Sequence, residues 1–154
     1  MLHDAGIDTH CMMTINALCL STLDQLLECI MNWKLEYGKD AVSFTLNILR
    51  FPSFQSPLVL PDAQRTVYRQ RLATWLEHWV DSEFIQEHEV NHTQRLIDYL
   101  DVVKTPHSEA FDRPKLLNDF KQFYSQYDSR RHKSFGNVFP NLKEWYDTIQ
   151  IQQQ

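Results

Sequence analysis

The chain is short of glycine. Among 154 residues there are three, Gly6, Gly38 and Gly136, against roughly 7% in ordinary soluble proteins. No two lie close enough to cradle a phosphate, which excludes a P-loop and a dinucleotide fingerprint. It also lacks a net positive charge. The net charge of −5 gives no electrostatic footing for nucleic acid. No apolar run approaches the roughly 20 residues of a membrane span, and the first residues, with His3, Asp4 and Asp8, do not make a signal peptide. These absences predict a soluble, cytoplasmic chain with no nucleic-acid or membrane partner. Cysteine is sparse too. Cys11, Cys19 and Cys29 match neither a CxxC zinc pattern nor a CxxxCxxC iron–sulfur pattern. They read as reduced thiols among apolar neighbours.

What is present is core material. Hydrophobic residues make up 43% and aromatics 12% of a length that suits one domain of ordinary size. A strand is expected over 7–16. A helix follows, with Ser21 as N-cap, Asp24 three residues on, and Gly38 at its end. Its apolar positions are Leu23, Leu26, Leu27, Ile30, Met31 and Leu35. A second strand alternates Val42, Phe44, Leu46 and Ile48 with Ser43, Thr45 and Asn47. Strand, helix, strand within about 40 residues predicts a βαβ unit with parallel strands and a right-handed crossover.

The proline-rich stretch 51–57 reads as a loop, and from Pro61 onward the pattern is helical. One helix carries Val67, Tyr68, Leu72, Trp75, Leu76, Trp79 and Val80. A second, from near Ser82, carries Phe84, Ile85, Leu96, Leu100 and Val103, and Pro106 stops it. Asp112 and Pro114 open a third, and Pro140 and Asn141 a short last one. The basic run Arg130, Arg131, His132, Lys133 reads as a solvated helix end. The expected fold class is therefore α/β, mostly helical: a βαβ segment with its loop over 1–60, then a helical region over 61–154.

This layout has a physical difficulty. Parallel strands are normally buried on both faces and paired on both sides, so two alone make a poor sheet. The stretch 2–6 also looks like a helix tail with a glycine cap. Together these predict a chain that begins inside a larger α/β domain. Its exposed strand edges should then take either the missing strands or a second copy of the chain.

Two constellations could carry chemistry. His88-Glu89-Val90-Asn91-His92 is HExxH, the helical zinc-peptidase pattern. A catalytic zinc needs a third protein ligand. Asp98 points about 240° away from His92 on a continuous helix and cannot supply it. The flanks Gln86, Glu87, Thr93 and Gln94 read as a solvated face. The second constellation is positional. In parallel α/β folds ligands bind beyond the carboxyl ends of the strands, where this chain carries Thr14, Asn16, Asn47 and Arg50. Asn47 interrupts an apolar strand, where a buried amide needs a partner.

The runs 12–18, 44–56 and 60–61, with 94–100, 127–131, Phe135, Phe139 and Pro140, resemble the later barrel strands and carboxyl-terminal tail of radical S-adenosylmethionine proteins of the twitch or SPASM type. The resemblance covers nearly the whole chain. It implies the end of a partial TIM-like barrel, with Thr14, Asn16, Asn47 and Arg50 lining the cofactor pocket. The family's CxxxCxxC is absent. The complete enzyme would use S-adenosylmethionine and a [4Fe–4S] cluster, while this chain alone would hold neither and would not be catalytic. Its expected partner is the missing amino-terminal barrel half. The rival expectations are a non-enzymatic helical interaction protein and the zinc peptidase.

Overall fold

Strand β1 (Thr9–Ile15) and strand β2 (Val42–Ile48) pair in parallel, with Thr9 opposite Val42 and Ile15 opposite Ile48. Helix α1 (Leu23–Tyr37) joins them, completing the expected βαβ unit. The structure, a computed structural model, describes residues 9–101 and 112–151. The helix-tail expectation at 2–6 and the positions Val103 and Pro106 lie outside the described residues.

The chain enters α1 through a 3-10 turn, Leu20–Thr22. Ser21 is therefore not the N-cap. Thr22 holds that place without a side-chain cap, and Asp24 instead accepts from Arg71 Nη2 at 2.7 Å. Gly38 ends the helix at φ +105°, a conformation that suits glycine. The buried face of α1 is Leu23, Leu27, Ile30, Met31 and, unexpectedly, Lys34, while Leu26 and Leu35 are exposed.

Two short 3-10 turns, Ser53–Gln55 and Pro57–Val59, occupy the proline-rich stretch. Helix α2 (Asp62–Trp79) then packs along α1. The indole N–H groups of Trp75 and Trp79 both donate to Glu28 Oε2, at 3.0 and 2.9 Å. Val67 and Val80, expected on the core face, are exposed. Helix α3 (Glu87–Asp101) starts five residues later than the Ser82 signal suggests. Ser82 caps a tight turn instead, its Oγ accepting from Phe84 N at 3.2 Å. Arg65, buried in α2, ties the two helices by donating to the carbonyls of Leu60 and Leu100. The latter lies in the last turn of α3.

The carboxyl-terminal part is held by aromatic rings. Helix α4 (Arg113–Arg131) begins as expected, with Asp112 accepting from Lys115 N. It ends at the exposed basic run, where His132 adopts φ +52°. A short helix α5 (Phe135–Val138), which the sequence pattern did not announce, and α6 (Lys143–Thr148) fold back onto it. Phe120 is fully buried, with Tyr124, Trp145 and Phe135 at ring-centroid distances of 4.6, 5.2 and 5.8 Å. Phe135 stacks on Tyr146 at 4.0 Å. This cluster joins the core beneath the sheet, where Phe44 meets Trp75 edge-on at 6.3 Å. No described helix is long and apolar enough to cross a membrane.

Burial in the cluster, helped by the neighbouring Tyr127, pushes the Tyr124 phenol up to about 12 from its ordinary value of 10.0. A raised folded value means that its contribution is intact below pH 10 and is lost as the pH climbs through 12. The variant Tyr124→Phe should lose less stability across that alkaline window than the parent. Urea unfolding at a series of pH values reads this directly. Parallel pH profiles for the two proteins would contradict the assignment.

Candidate functional site

The HExxH helix leaves Asn91 and, as expected, Glu87 and Gln94 exposed, but turns Glu89 and Thr93 inward. It lies along the outer edge of β2. Thr9 N donates to Ala41 O and Leu49 N to Ile15 O at the two ends of the parallel ladder, so the odd-numbered residues of β2 bond to β1. The backbone groups of Phe44 and Leu46 therefore point the other way, towards α3. Glu89, His92 and Arg95, three residues apart on one face of α3, meet them there. Glu89 Oε1 accepts from Phe44 N at 3.0 Å. His92 Nδ1 lies 3.1 Å from Leu46 N, and Arg95 Nη2 donates to Leu46 O at 2.8 Å. With Arg95 serving that carbonyl, the consistent imidazole tautomer leaves His92 Nδ1 as the acceptor and puts the proton on Nε2. Three side chains thus do for β2 what a third strand would do.

Glu89 is the centre of this arrangement. Its carboxylate and the Lys34 ammonium are both fully buried and 2.6 Å apart. Oε2 also accepts from Gln86 N at 2.8 Å. That is the reach-back half of a capping box at the start of α3. Lys34 Nζ donates further to Phe84 O at 3.1 Å. All the capacity of the carboxylate is taken by one ammonium and two amides, which leaves nothing to activate a water molecule. Thr93, expected on a solvated face, is buried and donates to Glu89 O.

The histidines form a row on the open face of the sheet. His10 reaches across to β2, its two ring nitrogens at 2.7 Å from Ser43 Oγ and 3.1 Å from Thr45 Oγ1. The His10 and His88 rings are 6.5 Å apart, and those of His88 and His92 6.3 Å. Among the described residues, no three His, Cys, Asp or Glu side chains come together as a metal would require. The donors present do not fit a catalytic zinc. Nor do they fit an iron–sulfur cluster. Cys11 and Cys19 are partly buried and Cys29 is exposed on α1. Cys19 is engaged with the Asn16 backbone at 3.2 Å, and burial pushes its thiol up.

The four strand-end residues divide into two groups. Thr14 and Asn47 are register partners, exposed side by side on the open face. Asn47 therefore needs no buried partner. Asn16 Oδ1 accepts from Leu18 N and Cys19 N at 2.9 and 3.2 Å, so its amide oxygen builds the turn after β1. The Arg50 guanidinium sits 5.2 Å over the Tyr99 ring. Sequence reasoning missed Lys34, Glu89, His92 and Arg95 as a structural set. A lysine inside an apolar helix face and a polar triplet spaced by three were the signals available. Compared with protein-family models, curated proteins and solved structures, the chain matches none.

A buried ion pair costs most when half of it is removed. Glu89→Gln should therefore destabilise the fold by about 3–5 kcal/mol, because Lys34 is left charged in an apolar site. The double variant Lys34→Met, Glu89→Gln should lose less than the sum of the losses of Lys34→Met and Glu89→Gln made singly. Urea denaturation of all four proteins measures this. Additive losses would show that the two residues are not coupled.

Proposed function

We propose that the chain donates two strands and a helical cap to a barrel of the radical S-adenosylmethionine type, and is not catalytic by itself. The observation that carries this reading is the one-sidedness of the sheet. The outer edge of β2 is closed by α3. On β1, the backbone groups of His10, Met12 and Thr14 point away from β2, and no partner meets them among the described residues. β2 has the attributes of a last strand, and β1 those of a strand awaiting a neighbour.

The open face fits the same reading. His10, Met12, Thr14, Ser43, Thr45 and Asn47 make it mostly polar, as the inner wall of a ligand-holding barrel would be near its carboxyl end. Thr14 and Asn47, exposed on that face, would touch a cofactor there. The cluster-binding cysteines would have to come from the other half, since this chain cannot group its own.

The test is reconstitution in two parts. The chain is mixed anaerobically with a separately produced barrel half carrying CxxxCxxC, taken from an adjacent reading frame. The expected result is a 1:1 complex that releases 5′-deoxyadenosine from S-adenosylmethionine, with no release from this chain alone. The variant Met12→Pro deletes an outward amide without touching the β1–β2 ladder, and should abolish the complex while leaving the chain folded. A complex that forms without any cluster or cleavage would favour the non-enzymatic interaction protein, using the same edge. A chain that stays monomeric with every such half, and is indifferent to Met12→Pro, would overturn both.

A further inference from the structure

The basic run at the end of α4 and the aromatic cluster beside it play no part in the reading above. Between them lies a hollow of about 400 Å3, lined by Leu18, Tyr124, Tyr127, Phe135, Phe139 and Lys133, among others. That is within the usual size range of small-molecule pockets. Its position is suggestive on independent grounds. Leu18 belongs to the turn directly after β1, so the hollow opens at the carboxyl end of the strands, where parallel α/β folds hold ligands. A smaller hollow of about 190 Å3 adjoins it. The two share Tyr127 as a wall, and the second is lined by Arg130 and Arg131.

The chemistry of the walls differs sharply between the two. The first is aromatic: Phe135 and Phe139 are 5.1 Å apart, and Phe135 and Tyr124 5.5 Å. Such walls take a flat ring by offset or edge-on stacking. The second is cationic. Arg131 lies 5.0 Å over the Tyr127 ring, and neither it nor Lys133 has a carboxylate partner among the described residues. The left-handed turn at His132 brings Lys133 back over the helix end, its amide donating to Asp128 O at 3.1 Å. Asp128 lines the first hollow as well. One of its oxygens is taken by Phe135 N at 2.6 Å, and the other is left to accept a hydrogen bond.

We propose that the two hollows together bind a small aromatic anion whose ring system carries an N–H donor. The ring occupies the aromatic hollow, the N–H reaches Asp128, and the anionic group meets Lys133 and Arg131 across Tyr127. The net charge of the chain is negative, so this local cationic rim is what admits an anion.

The probe is 2-anilinonaphthalene-6-sulfonate, which has a flat ring system with an N–H at one end and one anionic group at the other, and fluoresces when its rings leave water. Titrated against the full chain, it should bind saturably at one site per chain. Lys133→Glu and Tyr127→Ala, both at exposed positions, should each weaken binding about tenfold, the scale of one charged hydrogen bond or one stacking contact. Lys39→Glu, the same charge reversal at an exposed position outside both hollows, should leave it unchanged. N-phenyl-2-naphthylamine lacks the sulfonate and should bind more weakly, with no response to Lys133→Glu. Cooperative thermal unfolding of each variant shows that it is folded. The proposal is overturned by the absence of saturable fluorescence, by several sites per chain, or by binding that survives both substitutions.

Discussion

The buried contact between Lys34 and Glu89 is the constraint on which the amino-terminal half depends. It joins three elements at one point: α1 through the lysine, α3 through the glutamate, and β2 through the Phe44 amide that shares the carboxylate. Removing two charges from water costs several kcal/mol per ion, about what the attraction returns when the geometry is good. The pair is therefore not a large source of net stability. It is a source of position. A carboxylate that must satisfy an ammonium and two amides has one place to sit, and that fixes the axial register of α3 against the strand. His92 and Arg95 then fall opposite Leu46 because they follow Glu89 at steps of three along one face.

Much of this fold was legible in the sequence. The βαβ unit follows from alternation in 42–48 and a helical period in 23–35, and both are local signals. Asp112 with Pro114 announced α4 because capping is local too. The errors lie where tertiary contacts override local rules. Ser21 and Asp24 spell a capping box, yet Asp24 pairs with Arg71, 47 residues away. Leu35 fits the apolar period better than Lys34, but the partner for the buried place is a carboxylate, and only a cation can answer it. Val67 and Val80 are on the fringe of a helical face whose centre is set by tryptophans bonded to Glu28. No periodicity argument contains that information.

The candidate site shows a different limit. HExxH is defined by residue types that can bind a metal and activate water, and those same types can seal a strand edge. Glutamate accepts from amides, and histidine accepts or donates as its tautomer allows. What distinguishes the two uses is the third partner. In catalysis it is another metal ligand, whereas here it is Lys34 for the glutamate and Arg95 for the histidine's strand. The strand-end residues divide for a similar reason. Asn16 stands where the chain turns, and an amide one atom from the backbone closes that turn. Thr14 and Asn47 stand where the strand still runs, so alternation places both on the open face.

The outward edge of β1 meets no cover among the described residues. Edge strands are ordinarily guarded by charges, proline, a bulge or a cover, because a bare row of amides and carbonyls recruits other strands. β2 has its cover in α3. β1 is seven residues long, and its sequence Thr-His-Cys-Met-Met-Thr-Ile contains no Lys, Arg, Asp, Glu or Pro. Its ladder to β2 runs in unbroken one-to-one register from Thr9 to Ile15, so no bulge twists the edge away. Met12 is 74% exposed on the face beside that edge, where a guarded strand would carry a charge. A protein that spends a buried ion pair, a histidine and an arginine on closing one edge has the means to close the other. Among the described residues that edge is left uncharged and regular, and this is the ground on which we propose a further strand beside it.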